Sequence, residues 1–193
     1  MGDRSTVWYF ILLGGFAVLR VLELIVSRQH QMRLLAEGGW RVAEPGYPFM
    51  VVVHGGLFVG SGVETWLLRR PFLPLLGWSM LALLGVCLAG RAWVWRSLGE
   101  QWNTQIVAAV RPIVATGPYR YVRHPNYTIV IAEMVALPLV HCAYLTAVVC
   151  SLLNALVLWR RIQAEERMLF GQPEYLRAMA RKPRFLPALR RGP

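Results

Sequence analysis

The amino-acid sequence predicts an all-α integral membrane protein with about five transmembrane helices, and two observations lead to this fold class. Hydrophobic residues make up 56% of the 193 residues, and the mean hydropathy of +0.43 exceeds that of an ordinary soluble domain. Charged residues account for only 16%, yet the formal net charge is +11, so the charges must be concentrated outside the apolar runs. We therefore expect residues 1–193 to form a single membrane domain.

The apolar runs have the lengths that membrane-spanning helices require, which is about 20 residues for one crossing. An apolar stretch of more than 30 residues runs from 128 to 160 and contains Pro138 near its middle, which favours a tight helical hairpin with a short first arm. The predicted spans are 6–27, 47–68, 72–95, 128–140 and 143–160.

The distribution of basic residues predicts the orientation of these spans. With five spans, one side of the membrane receives 17 of the 21 Lys and Arg residues. Because Lys and Arg accumulate on the cytoplasmic side, we expect the N-terminus outside and the C-terminus in the cytoplasm. The basic charge does not indicate nucleic-acid binding, since the aromatic residues lie in the apolar runs and not among the arginines.

The cysteines and the glycine-rich segments indicate no metal site and no nucleotide-binding loop. Cys87, Cys142 and Cys150 lie in apolar stretches without metal-ligand spacing, so small buried side chains are the simplest interpretation. The chain has no GxGxxG and no Walker motif, so a Rossmann-type cofactor site is not indicated.

Residues 117–127, Gly-Pro-Tyr-Arg-Tyr-Val-Arg-His-Pro-Asn-Tyr, are the strongest candidate for a functional site. Pro125 is placed to begin a helix, and the free N–H groups of a helix N-terminus favour anions. His124, Tyr119 and Tyr127 would add hydrogen bonds and an aromatic wall. The alternative is an interfacial belt of aromatic residues and arginines. The preceding residues 104–116 contain two β-branched runs, which predict a surface hairpin.

A second constellation follows the last span, where Arg161 and Glu165 are four residues apart and so share a helix face. One interpretation is an ordinary basic end of a membrane span with a surface ion pair. The functional interpretation places Glu165 as an acceptor of hydrogen bonds from a ligand and Arg161 as the residue that holds an acceptor group.

Ionisable residues inside the predicted spans form the third constellation. Charges there cost several kcal/mol unless they are paired or hydrated. Arg20 and Glu23 are three residues apart and can pair on one face, and His54 and Glu64 are placed to meet them across a helix contact. Glu133 is the remaining member. These residues form either an ion-pair network that fixes helix packing or the polar floor of a substrate pocket.

The quoted motifs resemble the isoprenylcysteine carboxyl methyltransferase family, whose members are integral membrane enzymes that use S-adenosylmethionine. The resemblance covers roughly residues 75–180 and rests on Gly117-Pro118-Tyr119, Arg123-His124-Pro125-Asn126-Tyr127, and Arg161 with Glu165-Glu166. It implies a cytoplasmic cofactor pocket formed by the C-terminal half, with Arg161 facing the methyl acceptor and Arg161 and His124 as the catalytic residues. The implied cofactor contacts are Gln105, Arg111, Pro112, Ile113, Val114, Tyr119, His124, Pro125, Asn126, Tyr127 and Glu165. From Glu166 to Phe170-Gly171 the chain is shorter than the family pattern, so nothing is carried over from 171–185.

The first half is similar to a narrower bacterial branch, the membrane methyltransferases paired with type III polyketide synthases, which O-methylate alkylresorcinols or alkylpyrones. The matching segments are Arg20-Val-Leu-Glu23-Leu, Gly38-Gly39, Tyr47-Pro48, His54 and Glu64. This resemblance implies that 1–70 forms the acceptor side, with Arg20, Glu23, His54 and Glu64 near the substrate, and that 72–193 forms the methyltransferase core. It also implies a location in a bacterial inner membrane and a functional association with a type III polyketide synthase.

The resulting hypothesis is methyl transfer from S-adenosylmethionine to an oxygen of a lipophilic acceptor. A carboxylate acceptor needs no base, whereas a phenol, with a pKa of about 10, would benefit from one. His54, His124, Glu23 and Glu64 are the candidate bases, and the sequence does not rank them. Two alternatives stay open: an NADPH-dependent membrane sterol or steroid reductase, which carries a related Arg-His-Pro-Asn-Tyr segment, and a non-catalytic membrane protein.

Overall fold

The computed structural model describes residues 4–44, 46–108 and 111–187, and within them it confirms the all-α prediction. Short 3-10 turns cover Gly99–Gln101 and Gly117–Arg120. The described residues also contain two strands of two residues each, β1 (Trp40–Arg41) and β2 (Val107–Ala108). The helices are α1 (Arg4–Ala36), α2 (Tyr47–Leu67), α3 (Pro74–Leu98), α4 (Pro125–Leu139), α5 (Tyr144–Leu169) and α6 (Pro173–Met179).

Four of the described helices, α1, α2, α3 and α5, are long and apolar enough to cross a membrane. The fourth helix in the chain, α4, has only 15 residues. At about 1.5 Å per residue it extends about 22 Å, less than the roughly 30 Å hydrocarbon core of a bilayer. The predicted short first arm of a hairpin is thus confirmed, and the turn after it is tight because Cys142 adopts φ 56° and Ala143 N–H donates to the Pro138 carbonyl over 3.0 Å.

The core lies where α4 packs between α3 and α5 and contacts α1 and α2. The buried Tyr9 hydroxyl of α1 donates to the Leu137 carbonyl of α4 over 3.0 Å, which ties the first helix to the fourth. The outer face of α5 remains apolar and open, with Leu152, Leu156 and Trp159 more than 60% exposed. An exposed stripe of this kind is expected of a helix that faces lipid.

Glu64 does not join Arg20 and Glu23, so the prediction that they would meet is wrong. Its carboxylate lies at the opposite end of the bundle and accepts hydrogen bonds from the backbone N–H groups of Leu145 and Thr146, over 3.1 and 2.7 Å. Arg70 also donates to it, over 2.9 Å. The first N–H groups of a helix have no intrahelical partner, so Glu64 serves as a cap of α5 supplied by α2.

We expect Glu64→Ala to lower the free energy of unfolding by about 1–3 kcal/mol, the usual cost of leaving buried polar groups unsatisfied. The thermal unfolding midpoint of the detergent-solubilised protein is the measurement. Glu174→Ala, an exposed change in α6, is the control. An unchanged midpoint in Glu64→Ala would contradict the capping role.

The hairpin predicted within 104–116 is also wrong. Strand β2 pairs instead with β1 in an antiparallel register that places Trp40 opposite Ala108 and Arg41 opposite Val107. Residues 111–116 contain no strand. A two-residue strand has too few local signals to reveal a partner more than 60 residues away, and here the end of α1 brings that partner close.

Candidate functional site

A cavity of about 410 Å³ lies at the end of the bundle where α1, α3 and α5 end and α2 and α4 begin. Its volume is in the usual range for small-molecule pockets. The cavity brings together most of the residues that the sequence singled out. These are Arg20, Glu23, His54, Gln105, Ile113, Val114, Tyr119, His124, Asn126, Tyr127, Arg161 and Glu165.

Three of the expected cofactor contacts do not line this cavity. Arg111 points to the outer surface, where it pairs with Glu37 over 2.5 Å and with Glu100 over 2.9 Å. The hydrogen bond from Arg111 lowers the pKa of the Glu37 carboxyl. Pro112 instead presents its carbonyl to Gln101, and Pro125 is the buried first residue of α4. Ile113 and Val114, the next two residues of the same segment, do line the cavity.

The 117–127 segment forms the cavity wall next to the start of α4. This helix begins at Pro125, as the sequence predicts. Gly117 adopts φ 58°, and a Cβ atom there would overlap the Ser97 Oγ, so the turn requires glycine. The turn places the half-buried Tyr119 beside the cavity, and the loss of solvent around its phenol raises the pKa of that group far above the ordinary value. Tyr119 therefore presents a neutral hydroxyl group.

Tyr127 is the centre of a hydrogen-bond chain between α4 and α5. Its hydroxyl donates to the Glu165 Oε2 over 2.5 Å and accepts from the Arg161 Nε over 2.8 Å. The His124 ring stacks on the Tyr127 ring with centroids 5.2 Å apart. Both Arg161 and His124 are buried. The two helices thus hold a carboxylate, a phenol, an imidazole and a guanidinium in one fixed arrangement.

Arg161 makes further contacts that sequence reasoning missed. Its Nη1 lies 2.9 Å from the Glu44 Oε1, and its Nη2 donates to the Thr104 carbonyl over 2.5 Å. Burial raises the pKa of Glu44, while the Arg161 charge opposes that shift. Glu44 precedes α2 in a short loop, and no pattern in the sequence separates it from Glu37 as the partner of a buried arginine.

Arg20 and Glu23 pair as predicted, with the Arg20 Nη1 2.6 Å from the Glu23 Oε2, but they belong to a larger network. Arg20 also lies 3.3 Å from Glu133, and Arg91 of α3 bonds to Glu133 and lies 3.5 Å from Glu23. Two guanidinium groups and two carboxylates therefore balance each other across three helices. Arg91 was not among the ionisable residues singled out from the sequence, although residue 91 lies within the predicted third span, 72–95.

The tail, from which nothing was carried over, covers the His124 side of the site. Glu166 of α5 accepts from the Arg184 Nη2 over 2.6 Å and lies 3.1 Å from the His124 Nε2. The backbone N–H groups of Arg123 and His124 donate to the Pro183 and Arg184 carbonyls, each over 2.9 Å. The two neighbouring acidic residues therefore make different contacts. Glu165 lines the cavity, whereas Glu166 connects the tail to the start of α4.

Several polar atoms of the cavity lining are buried without a partner among the described residues. They include the Asn126 Oδ1, the Asn103 Nδ2 and the Trp102 Nε1. Buried polar atoms in native proteins nearly always have a hydrogen-bond partner, so a group without one calls for an explanation. An acceptor and two donors in one cavity fit a polar ligand that occupies this space.

The helices and this buried polar cavity define the class of the chain: a helical membrane protein with a candidate site at one end of its bundle. Residues 79–171 match the family model described as the isoprenylcysteine carboxyl methyltransferase (ICMT) family. The chain belongs to this family, which is one of membrane methyltransferases.

Two relatives extend the likeness beyond the matched segment. The chain is 33% identical over 164 residues to "Uncharacterized protein YpbQ" of Bacillus subtilis (strain 168), covering 83% of this chain and 96% of that protein. It is 28% identical over 152 residues to an "Uncharacterized protein" of Haemophilus influenzae, covering 77% of this chain and 87% of that protein. The family match includes α4, α5 and most of α3, whereas α1 and α2 lie outside it.

Proposed function

We propose that the protein transfers a methyl group from S-adenosylmethionine to an oxygen of a lipophilic acceptor. One observation supports this most directly: a single cavity joins the polar cluster of the family-matched segment to residues from α1 and α2. The two reactants of a displacement must meet in one aligned arrangement, and a shared cavity provides the place for it.

The residues of the α4–α5 side fit the proposed methyl donor. S-adenosylmethionine carries positive charge, a carboxylate and an adenine ring. Glu165 offers a carboxylate, the first turn of α4 offers free backbone N–H groups, and the stacked rings of His124 and Tyr127 offer aromatic surface. Asn126, with its unpartnered Oδ1, offers a hydrogen-bond acceptor. When bound, this cofactor supplies an electrophilic methyl group.

The protein's own contribution is to position the acceptor and exclude water. The Arg161 guanidinium is held in place by Tyr127, Glu44 and Thr104, so it is oriented before any ligand binds. A fixed cation stabilises an acceptor oxygen that carries negative charge without reorganising during the reaction. The apolar part of the lining, including Val51, Val130 and Leu158, would hold the lipid portion of the acceptor.

The proposed acceptor is a phenolic lipid, such as an alkylresorcinol or alkylpyrone, or a prenylcysteine-type carboxylate. The basic excess at the cavity end supports an orientation with the C-terminus and the cavity on the cytoplasmic side of a bacterial inner membrane. A charged cofactor would then reach the cavity from water and a lipid from the bilayer. Under this proposal, a type III polyketide synthase would supply the phenolic acceptor.

Glu165→Gln is expected to weaken S-adenosylmethionine binding about 10- to 100-fold, because a hydrogen bond to a charged group contributes about 1.5–3 kcal/mol. We expect a loss of similar size in His124→Ala. Isothermal titration of the detergent-solubilised protein measures the affinity. Glu174→Gln, an exposed carboxylate outside the cavity, is the matched control.

Two results would contradict the proposal. Unchanged affinity in both Glu165→Gln and His124→Ala would remove these residues from the cofactor site. Micromolar binding of NADPH by the wild type, without binding of S-adenosylmethionine, would favour the reductase alternative instead.

A further inference from the structure

The candidate bases differ in what the structure has already bonded to them. Glu64 caps α5 at the far end of the bundle. Glu23 lies within ion-pair distance of Arg20 and Arg91, so protonating it would leave buried guanidinium groups short of a partner. The two glutamates are therefore occupied by structural roles.

Among the candidate bases, His54 has a ring nitrogen that is available to accept a proton. Its Nδ1 lies 2.9 Å from the Met50 carbonyl, and since a carbonyl oxygen only accepts, Nδ1 carries the proton. In the neutral ring the Nε2 then holds a lone pair. This nitrogen has no partner among the described residues, and His54 lines the cavity. The backbone of α2 thus fixes the tautomer that a general base requires.

The charged groups near His54 suit an acceptor oxygen that loses its proton. Arg20 of α1 and Arg91 of α3 line the same cavity as His54, and Glu133 of α4 bonds to both. With Glu23, these groups form the balanced network described above, so two guanidinium groups lie near the place where an acceptor oxygen would gain negative charge.

His124, the other histidine of the cavity, is placed differently. Its Nε2 faces Glu166, and its ring stacks on Tyr127 among the residues assigned to the methyl donor. In a direct displacement the acceptor oxygen and the departing sulfur lie on opposite sides of the methyl carbon. The base must act on the acceptor, and therefore belongs on the α1–α2 side, where His54 lies.

We propose that His54 is the general base of this site and takes the proton of a phenolic or enolic hydroxyl group, the first of the two proposed acceptor types. This inference rests on the proposed methyl transfer. The acceptor O–H bond breaks and its proton passes to the His54 Nε2. An O–CH₃ bond forms as the S–CH₃ bond of the sulfonium breaks, and the electron pair of that bond stays on sulfur in a neutral thioether.

The acidity of the acceptor selects this class. A carboxylate, with a pKa of about 4, is already ionised at neutral pH, so its methylation requires no general base. An ordinary alcohol is about as weakly acidic as water, with a pKa of about 15.7, which is far from that of an imidazole. A phenol, at about 10, is close enough to an imidazole, at about 6.5, for general-base assistance.

His54→Asn is the test variant, because an asparagine amide can still donate to the Met50 carbonyl but is not basic. Binding of S-adenosylmethionine and methyl transfer are measured separately on solubilised protein, with an alkylresorcinol and a farnesylated cysteine analogue as acceptors. We expect cofactor affinity like that of the wild type and a fall of about 100-fold or more in the rate with the resorcinol. A chlorinated, more acidic resorcinol should recover part of that rate.

The pH dependence of the wild type provides a measurement that does not depend on any variant. Because His54 must be deprotonated to act, kcat/KM with the resorcinol should fall as the imidazole is protonated and level off above that point. A rise that continues to the ionisation of the phenol, near pH 10, would overturn the inference.

His30→Asn is the matched control, since the His30 Nδ1 also bonds to a carbonyl, over 2.9 Å, but His30 does not line the cavity. We expect it to keep more than half of the wild-type rate. An equal loss in both variants, or methylation of the carboxylate alone, would overturn the role of His54 while leaving methyl transfer in place. A wild type that does not bind S-adenosylmethionine would overturn the proposed function as well.

Discussion

Replacing Glu133 with leucine is expected to destabilise the protein by about 3–5 kcal/mol, the cost of leaving a buried charge without its partner. Glu133 is 8% exposed and bonds to both Arg20 and Arg91. Its removal leaves two guanidinium groups with Glu23 as the remaining carboxylate of the network. Apolar helices offer no other means of neutralising that charge, so we expect lower expression and a large drop in the thermal unfolding midpoint.

The double variant Arg91→Leu with Glu133→Leu is the control that separates charge from packing. It removes one ion pair and leaves Arg20 bonded to Glu23, so the network stays balanced. Replacing a whole buried ion pair by apolar residues is often neutral or stabilising. We therefore expect the double variant to recover most of the lost stability. A double variant as unstable as Glu133→Leu would show that the shape of the Glu133 side chain matters, and not its charge.

This network shows how far sequence reasoning reached within the membrane. Arg20 and Glu23 could be paired because helix spacing is local: residues three apart share a face, whatever surrounds them. Arg91 could not be added in this way, since its role depends on which helices pack beside α3. Its burial follows from tertiary packing that a hydropathy profile does not contain.

The same distinction applies to the cavity. The start of α4 at Pro125 could be predicted because proline favours the first turn of a helix. The hydrogen bond between Tyr127 and Glu165 was not predicted, although the family resemblance assigned both residues to one cofactor site. Glu44, Thr104 and the tail at Pro183 and Arg184 could not be predicted. They join the site from loops, where hydrogen bonds between distant residues replace the periodic patterns that identify helices.

The division of the site between the two halves of the chain has a mechanistic consequence. Residues assigned to the methyl donor lie in the family-matched segment, whereas His54 and Arg20 come from α2 and α1, outside that match. Under the proposed function, a core that binds one cofactor would take different acceptors if only the first two helices changed. Arg161 connects the two halves. It bonds to Tyr127 and Thr104 within the family-matched segment and to Glu44 outside it.

Arg161→Lys is therefore expected to lower turnover by about 100-fold or more while S-adenosylmethionine affinity stays within about threefold. A lysine keeps the charge opposite Glu44, but its compact ammonium cannot reproduce the planar fork that bonds to Tyr127, Glu44 and Thr104 together. Misplacement of a positioned group by about 1 Å costs about 100-fold in rate. Steady-state methylation with labelled cofactor measures turnover, and titration measures affinity.

Arg160→Lys is the matched control, because Arg160 is the exposed neighbour on the same helix and lies outside the cavity. Wild-type turnover in Arg161→Lys would exclude Arg161 from the acceptor side, and a parallel loss of cofactor affinity would place it with the methyl donor.

The guanidinium of Arg161 has five N–H groups, and its described contacts leave one on the Nη2 without a partner. If that N–H holds the acceptor oxygen, KM for the acceptor should rise together with the fall in kcat. A fall in kcat alone would show that Arg161 acts by holding Tyr127 and the loops in place.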